Sequence, residues 1–221
     1  MTAPTPHSEP AAADWAESAE ARVLDAAVRL APRLHWSRAL VTQAAAECGL
    51  SQGEADLLLP NGPRDLAALL SRRHDRAALQ ALADVDPASL KIRERIARAV
   101  TARIEAAADD EAAVRRSAGY LALPPNLPLA LSLLWETADS LWRWAGDTAT
   151  DENHYSKRVI LSAVLVTTLA ARFTSGPEAA QANLTRRIGE VMAFEKWKAG
   201  LPSPTNLIRE VAAALGKLRY G

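Results

Sequence analysis

The sequence lacks most of the features on which catalytic and disulfide-bonded proteins depend. Its one cysteine, Cys48, cannot form an intrachain disulfide, and the simplest interpretation is a reducing compartment. It has no glycine-rich phosphate loop, no nucleophile elbow and no helix that carries Glu and His at metal-ligand spacing. The four histidines are scattered along the chain. We therefore predict a protein that is not an enzyme and that has no catalytic residues, metal site or cofactor.

An excess of charge of one sign and long apolar runs are also missing. The 26 basic and 26 acidic residues balance, so the global charge does not favour nucleic acid. Residues 117–135 are uncharged but interrupted by three prolines, and the uncharged segment 159–171 is too short to span a bilayer. Residues 1–13 contain no Lys or Arg and do not resemble a targeting peptide. We predict a soluble, cytoplasmic protein with a disordered tail.

The residues that are abundant, Ala, Leu, Arg and Glu, favour helix, and β-branched runs are almost absent. The fold class predicted is all-α. We expect helices at about 14–34, 40–48, 52–59, 63–83, a helix launched by Asp86-Pro87, then 111–119, one that ends near 144, one from Thr150 or Asp151 to 173, 177–198 and 206–219. The domains predicted are a tail (1–13), an N-terminal helical domain (14–83), a larger helical domain (84–198), and a linker with an amphipathic helix (199–221).

The stretch "AAAECGLSQGEADLLLP" has the glycine turn and serine cap of a helix-turn-helix. With its flanking helices it resembles the N-terminal domain of TetR-type repressors. The positions at which that family contacts DNA carry Gln52, Asp56, Leu59 and Gly62 here. From Arg38 to Leu66 there are two basic and four acidic residues, net −2, so the phosphate contacts that supply affinity for DNA are missing. We predict no nucleic-acid partner.

A ligand-responsive transcription regulator of the TetR type is the alternative function. One sequence feature favours it, which is a basic group on the fourth helix. That group comprises Arg64, Arg72, Arg73 and Arg76.

The helix before Trp144 has a wide apolar face on which Leu131, Trp135 and Trp142 recur at helical spacing. This pattern is compatible with an ordinary core helix or with the wall of a cavity for a lipid, and the periodicity does not distinguish them. The segment "LPPNLPLALSLLWETADSLWRWAGDTATDENHYSKRVILSAV" resembles the signature region of the COQ-nine family. Members of that family are TetR-like lipid-binding accessory proteins of coenzyme Q (ubiquinone) biosynthesis.

The resemblance implies a function that is not catalytic. The protein would bind an isoprenoid quinone or another lipid at the membrane surface and present it to the di-iron demethoxy-ubiquinone hydroxylase. The side chains expected to line the lipid cavity come from the helix before Trp144, the turn that precedes it and the segment Val159 to Leu169 of the next helix. The named residues are Leu121, Leu123, Leu131, Leu134, Trp135, Trp142 and Leu165. The residues that match the family's partner-binding surface are Trp142, Gly146, Asp147, Thr150, Asp151, Asn153, Tyr155 and Arg158.

The terminal segment "NLIREVAAALGKLRYG" is amphipathic and can pack on its own core or lie in a membrane interface. Composition favours packing, whereas the family resemblance implies peripheral association with the membrane. The fold also suggests a homodimer. The predicted membrane-facing residues are Leu207, Ile208, Val211, Leu215 and Leu218.

Overall fold

The computed structural model describes the backbone of residues 9–147 and 152–200, and the side chains of residues 15–147 and 154–193. The predicted all-α, TetR-like fold is confirmed, since this part of the chain consists of α-helices, short 3-10 turns and connections, without strands. The helices are α1 (Glu9–Leu30), α2 (Arg38–Glu47), α3 (Gln52–Leu58), α4 (Pro63–Ala81), α5 (Ile92–Ala108), α6 (Glu111–Leu121), α7 (Leu127–Trp144), α8 (Glu152–Ser175) and α9 (Pro177–Gly200).

Helices α2 and α3 form the predicted helix-turn-helix. Gly49 takes the left-handed conformation (φ 75°) at the turn, which suits glycine. The Ser51 hydroxyl accepts a hydrogen bond from the Glu54 backbone N–H, and the Glu54 carboxylate accepts one from the Ser51 N–H, which fixes the start of α3. The hydroxyl of Ser51 also donates to the same carboxylate, and these hydrogen bonds lower the pKa of Glu54. Glu54 is therefore part of the cap of α3.

Helix α4 is tied by polar contacts to several of its neighbours. The guanidinium of Arg103 on α5 lies 2.6 Å from the carboxylate of Asp75, which also accepts a hydrogen bond from Thr137 on α7 at 2.9 Å. Arg73 bridges Asp25 on α1 and Asp110 at the start of α6. Arg103, Asp75 and Asp110 are largely buried, so their pairing satisfies charges that would otherwise be costly inside the protein, whereas Asp25 is exposed.

Two apolar clusters form the core. The first packs α1 to α4 together with Ala107 of α5 and Val114 of α6. The second packs α5, α7, α8 and α9 against Leu82 at the end of α4. Leu169 of α8 contacts both clusters.

Several predicted helix boundaries were wrong. Helix α1 begins at Glu9, inside the tail we expected to be disordered, because Pro10 suits a first turn and three alanines follow it. It ends at Leu30, before Pro32. Asp86-Pro87 starts only a 3-10 turn, and α5 begins later, at Ile92. Thr150, Asp151 and the predicted C-terminal helix lie outside the described residues.

Helix α8 has one exposed side and one buried side. Tyr155, Val159 and Val166 are exposed on one side, while Leu161 and Leu165 are buried on the other. The described segment His154–Ser175 is long and apolar enough to cross a membrane, by length and composition alone. We had expected no such segment because Lys157, Arg158 and Arg172 bound the uncharged run, but the helix continues through them. Core helices of soluble proteins meet the same criterion.

Candidate functional site

The candidate site lies around the turn that joins α7 to α8. Gly146 follows the end of α7 in the left-handed conformation (φ 86°), as is common at helix C-termini. The Arg95 side chain of α5 packs against this turn, and its Nη1 would lie 3.3 Å from a Cβ at Gly146. The same Nη1 donates a hydrogen bond to the Ala145 carbonyl at 2.8 Å. A glycine is therefore required here by both backbone conformation and close packing.

A buried arginine holds this turn against α8. The Arg158 side chain is 2% exposed, and its guanidinium contacts Asp139 on α7 at 2.7 Å and Asp147 at 2.9 Å. Lys157 contacts the other oxygen of Asp147 at 2.6 Å. Burial alone would raise the pKa of Asp147, but the hydrogen bonds and charges of Lys157 and Arg158 outweigh it and lower that pKa. The network keeps the Asp147 carboxylate ionised and fixes α7 relative to α8.

Beside this turn is a mostly apolar pocket of about 350 Å³, between α5, α7, α8 and α9. Trp142 forms part of its wall, with its Nε1–H bonded to the Lys157 carbonyl and the Lys157 ammonium 5.3 Å from its ring centre. The polar groups at the pocket are Arg93, Arg95, Asp147, Ser156 and Lys157. The other apolar side chains that line it are Ile92, Ile96, Ile160, Leu161, Val164, Ile188, Val191 and Met192.

An exposed apolar surface lies on a different part of α7 and α8. The ring of Trp135 lies 5.8 Å from that of Tyr155 and 6.1 Å from that of His154, measured between centres. Leu131, one turn before Trp135, is 66% exposed, and Val159, one turn after Tyr155, is 61% exposed. We call these four apolar side chains, Leu131, Trp135, Tyr155 and Val159, the aromatic patch. Exposed apolar groups of this kind are typical of surfaces that bind a protein or a membrane.

The comparisons with known proteins concern this same region. Residues 127–195, which comprise α7, α8 and most of α9, match the COQ9 family model. The resemblance to the COQ9 family is confirmed. "Ubiquinone biosynthesis protein COQ9, mitochondrial" of Homo sapiens is 28% identical over 158 residues, which cover 69% of this chain and 50% of the human protein. The Xenopus tropicalis protein of the same name is 27% identical over 163 residues, with 69% and 50% coverage. The chain thus spans about half the length of the curated relatives it matches.

The structure brings together only some of the residues predicted to line a lipid cavity. Trp142 lines the pocket, and so do Ile160, Leu161 and Val164 from the expected segment 159–169. Leu123 and Leu131 are exposed, and Leu165 is buried in the second apolar cluster. Leu121 packs against the first cluster, while Leu134 and Trp135 are half-buried. The pocket lies at the C-terminal end of α7 and on a different side of α8 from Tyr155 and Val159, and helical spacing alone does not predict this position.

The residues that the family resemblance assigns to a partner-binding surface differ in their exposure. Tyr155 is 63% exposed and available for contact. Arg158 and the side chain of Asp147 are buried, at 2% and 5% exposure, and act by positioning the turn. Gly146 shapes the same turn, and Trp142 belongs to the pocket. Thr150, Asp151 and the side chain of Asn153 lie outside the described part of the chain, as do Leu207, Ile208, Val211, Leu215 and Leu218.

Sequence reasoning missed Arg95 and Met192, which both line the pocket. A weak signal existed for Arg95, because it occupies an otherwise apolar side of α5 beside Ile96. No signal in the sequence indicated that the far end of α9 would face α5.

Two of the four arginines in the basic group on α4 form ion pairs within the protein. Arg72 pairs with Glu136 at 3.0 Å, and Arg73 pairs with Asp25 at 2.8 Å. On α3, Asp56 pairs with Arg38 at 3.3 Å. Arg72, Arg73 and Asp56 are thus each engaged in an ion pair with another residue of the same protein. The absence of a nucleic-acid partner stays a prediction.

Proposed function

We propose that this protein is a lipid-binding accessory protein of ubiquinone biosynthesis and is not itself an enzyme. In this proposal it binds an isoprenoid-quinone intermediate at a membrane surface and presents it to the di-iron demethoxy-ubiquinone hydroxylase. The observation that carries the proposal is the apolar pocket, since α7, α8 and α9, which form three of its four walls, lie in the region that matches COQ9. The printed names of the relatives assign those proteins to ubiquinone biosynthesis.

The size of the pocket limits what it can hold. Pockets for small molecules range from about 300 to 1,000 Å³, so 350 Å³ is near the lower end. It suits a ring and a short part of its isoprenoid chain, and the rest of the chain would stay in the bilayer. Each methylene buried contributes about 0.8 kcal/mol, so even a partly inserted chain would supply useful affinity.

The aromatic patch is the surface we assign to the hydroxylase. It lies on the same two helices as the pocket, and the Arg158 network fixes these helices to each other. A partner on the patch would be close to a lipid that leaves the pocket. Peripheral association with the membrane, homodimer formation and a cytoplasmic location belong to the same proposal, and the relatives are named as mitochondrial proteins.

The test of lipid binding is native mass spectrometry with lipid extraction, on protein purified from cells that make ubiquinone. We expect isoprenoid quinones to copurify with the natural sequence and to be depleted in Ile160→Trp, which fills the pocket. Val159→Trp is the matched control, because its neighbouring position on α8 is exposed and does not line the pocket. Protein that carries no isoprenoid lipid, or equal amounts in both variants, would contradict the proposal.

The test of partner binding uses two exposed leucines. Leu131→Ser removes part of the aromatic patch, whereas Leu57→Ser changes a leucine on α3 that is 85% exposed. We expect only Leu131→Ser to weaken binding of the purified hydroxylase, measured by surface plasmon resonance. Equal binding by both variants would show that the patch is not the hydroxylase surface.

A further inference from the structure

The pocket is lined by more basic side chains than nearby carboxylates can neutralise among the described residues. Arg93, Arg95 and Lys157 line it, and Asp147 is the only carboxylate among the described residues around it. Asp147 already forms ion pairs with Lys157 and Arg158, so its negative charge is compensated within the Arg158 network. Two arginines therefore remain without a close carboxylate partner inside the pocket.

Arg95 is the more deeply placed of the two. Its Nε donates to the Leu90 carbonyl at 2.9 Å and its Nη1 to the Ala145 carbonyl at 2.8 Å. Both acceptors are neutral, and no carboxylate of the described residues lies within 4.0 Å of the guanidinium. These two hydrogen bonds hold the guanidinium in a fixed orientation, since Nε and Nη1 are both engaged. Its Nη2 has no hydrogen-bond partner in the described part of the protein.

Arg93 lies one residue from the start of α5 and is exposed. The one carboxylate near it belongs to its neighbour Glu94, at 3.9 Å. That carboxylate is also used by the Lys91 backbone N–H at 3.1 Å. Arg93 therefore has a weak partner in the free protein and is available to a ligand at the rim of the pocket.

We propose that the pocket takes an amphiphile with an anionic head group, a carboxylate or a phosphate, which Arg95 and Arg93 bind while a short apolar chain lies against Ile160 and Met192. The inference rests on the proposed lipid-binding function and names the class of head group. A guanidinium binds a carboxylate or a phosphate through charge-assisted hydrogen bonds, which are stronger than those to a neutral oxygen. A quinone offers only neutral carbonyl oxygens and would leave the charge of Arg95 uncompensated. The head group selected is thus a ring that carries an acidic substituent or the phosphate of a phospholipid.

The experiment compares three ligands that share a geranyl tail: a benzoate, a benzoquinone and geranyl phosphate. Isothermal titration calorimetry with the full chain at low salt gives their affinities. We expect both anions to bind at least about tenfold more tightly than the quinone, because a hydrogen bond to a charged group contributes more than one to a neutral group. We also expect this preference to shrink at high salt, since the rim of the pocket is exposed to solvent.

Three variants assign the preference to residues. Arg95→Gln and Arg93→Gln should each reduce it, while Arg98→Gln, exposed on the same helix and outside the pocket, should preserve it. Arg93→Gln decides the case if Arg95→Gln impairs folding, because the contact of Arg93 to Glu94, at 3.9 Å, is its one ion pair among the described residues and is weak. A normal preference in a folded Arg93→Gln protein would then overturn the inference.

The remaining outcomes separate this inference from the proposed function. Equal binding of quinone and anions, unaffected by the arginine variants, overturns the inference and leaves the lipid-binding function in place. Binding of the anions without the quinone supports the inference and removes the quinone from the function. If none of the three ligands binds, both are overturned. Preference for one anion over the other identifies whether a carboxylated ring or a phospholipid is the natural source.

Discussion

His74 on α4 is expected to make the protein less stable in mild acid. Its side chain is buried, with Nε2 2.8 Å from the carboxylate of Asp110. Burial, together with the positive charges of Arg103 and Arg73, lowers the pKa of His74 to about 4, although Asp110 acts in the opposite direction. In the unfolded chain the pKa of a histidine is about 6.5.

The sign and size of the effect follow from these two pKa values. Above pH 6.5 neither state is protonated, and His74 adds no pH dependence. As the pH falls from 6.5 towards 4, the unfolded chain binds a proton that the folded protein does not, so the free energy of unfolding decreases. At pH 5 the loss is about 2 kcal/mol, since each pH unit in this window corresponds to about 1.4 kcal/mol. The pKa of Asp110 is lowered, so this carboxylate stays ionised throughout the window.

The assay is urea unfolding at pH 7.5 and pH 5, for the natural sequence and for His74→Gln. We expect the natural sequence to lose about 2 kcal/mol more than the variant between the two pH values, because both share every other titrating group. Titration of the histidine ring protons by NMR measures the same pKa without a substitution. An equal pH dependence in the two proteins, or a His74 pKa near 6.5, would refute the reasoning.

Three further predictions concern stability and use the same unfolding assay. Arg158→Met should lower the free energy of unfolding by about 3–5 kcal/mol, because it leaves Asp139 and Asp147 without their buried partner. Arg143→Met removes only an exposed contact to Asp139 and should lower it by less than about 1 kcal/mol. Gly146→Ala should lower the free energy of unfolding by about 1–2 kcal/mol, because alanine is strained in the left-handed conformation of this residue. Gly119→Ala lies within α6, where a Cβ meets no other atom, and should be neutral or stabilising by up to about 1 kcal/mol. Ser51→Ala should cost about 1 kcal/mol, and Ser37→Ala, whose hydroxyl forms no cap hydrogen bond, should cost less.

Each pair also defines the result that would contradict it. Equal losses for the two arginine variants would mean that burial does not set the cost of breaking the Arg158 network. A gain in stability for Gly146→Ala would show that the turn after α7 does not need a left-handed residue. Equal effects at Ser51 and Ser37 would remove the cap as the cause.

Local rules predicted the helices well where a residue acts on its own turn. Gly49 and Ser51 define the helix-turn-helix, and Pro63 starts α4 at the expected position. Such features depend on backbone conformation and on hydrogen bonds within one turn, and they can be read directly from the sequence. Asp86-Pro87 is the exception, because the same local cap also suits a single 3-10 turn.

The candidate site was harder to predict because its parts come from distant segments. The spacing of Leu131, Trp135 and Trp142 correctly indicates one apolar side of α7, but it does not show that Trp135 meets Tyr155 while Trp142 faces the pocket. The family resemblance implied that Arg158 belongs to a partner-binding surface, whereas its two carboxylate partners explain why it is buried. Periodicity specifies which residues share a face, whereas the fold determines what covers that face.

The contacts of α4 also bear on whether the first four helices can exist as a separate module. A fragment that ended after Ala83 would keep Asp75 and lose Arg103 and Thr137, its partners on α5 and α7. It would also uncover Leu82, which packs in the second apolar cluster. The helix-turn-helix unit therefore depends for its stability on the helices that surround the pocket, and we do not expect the first four helices to fold independently.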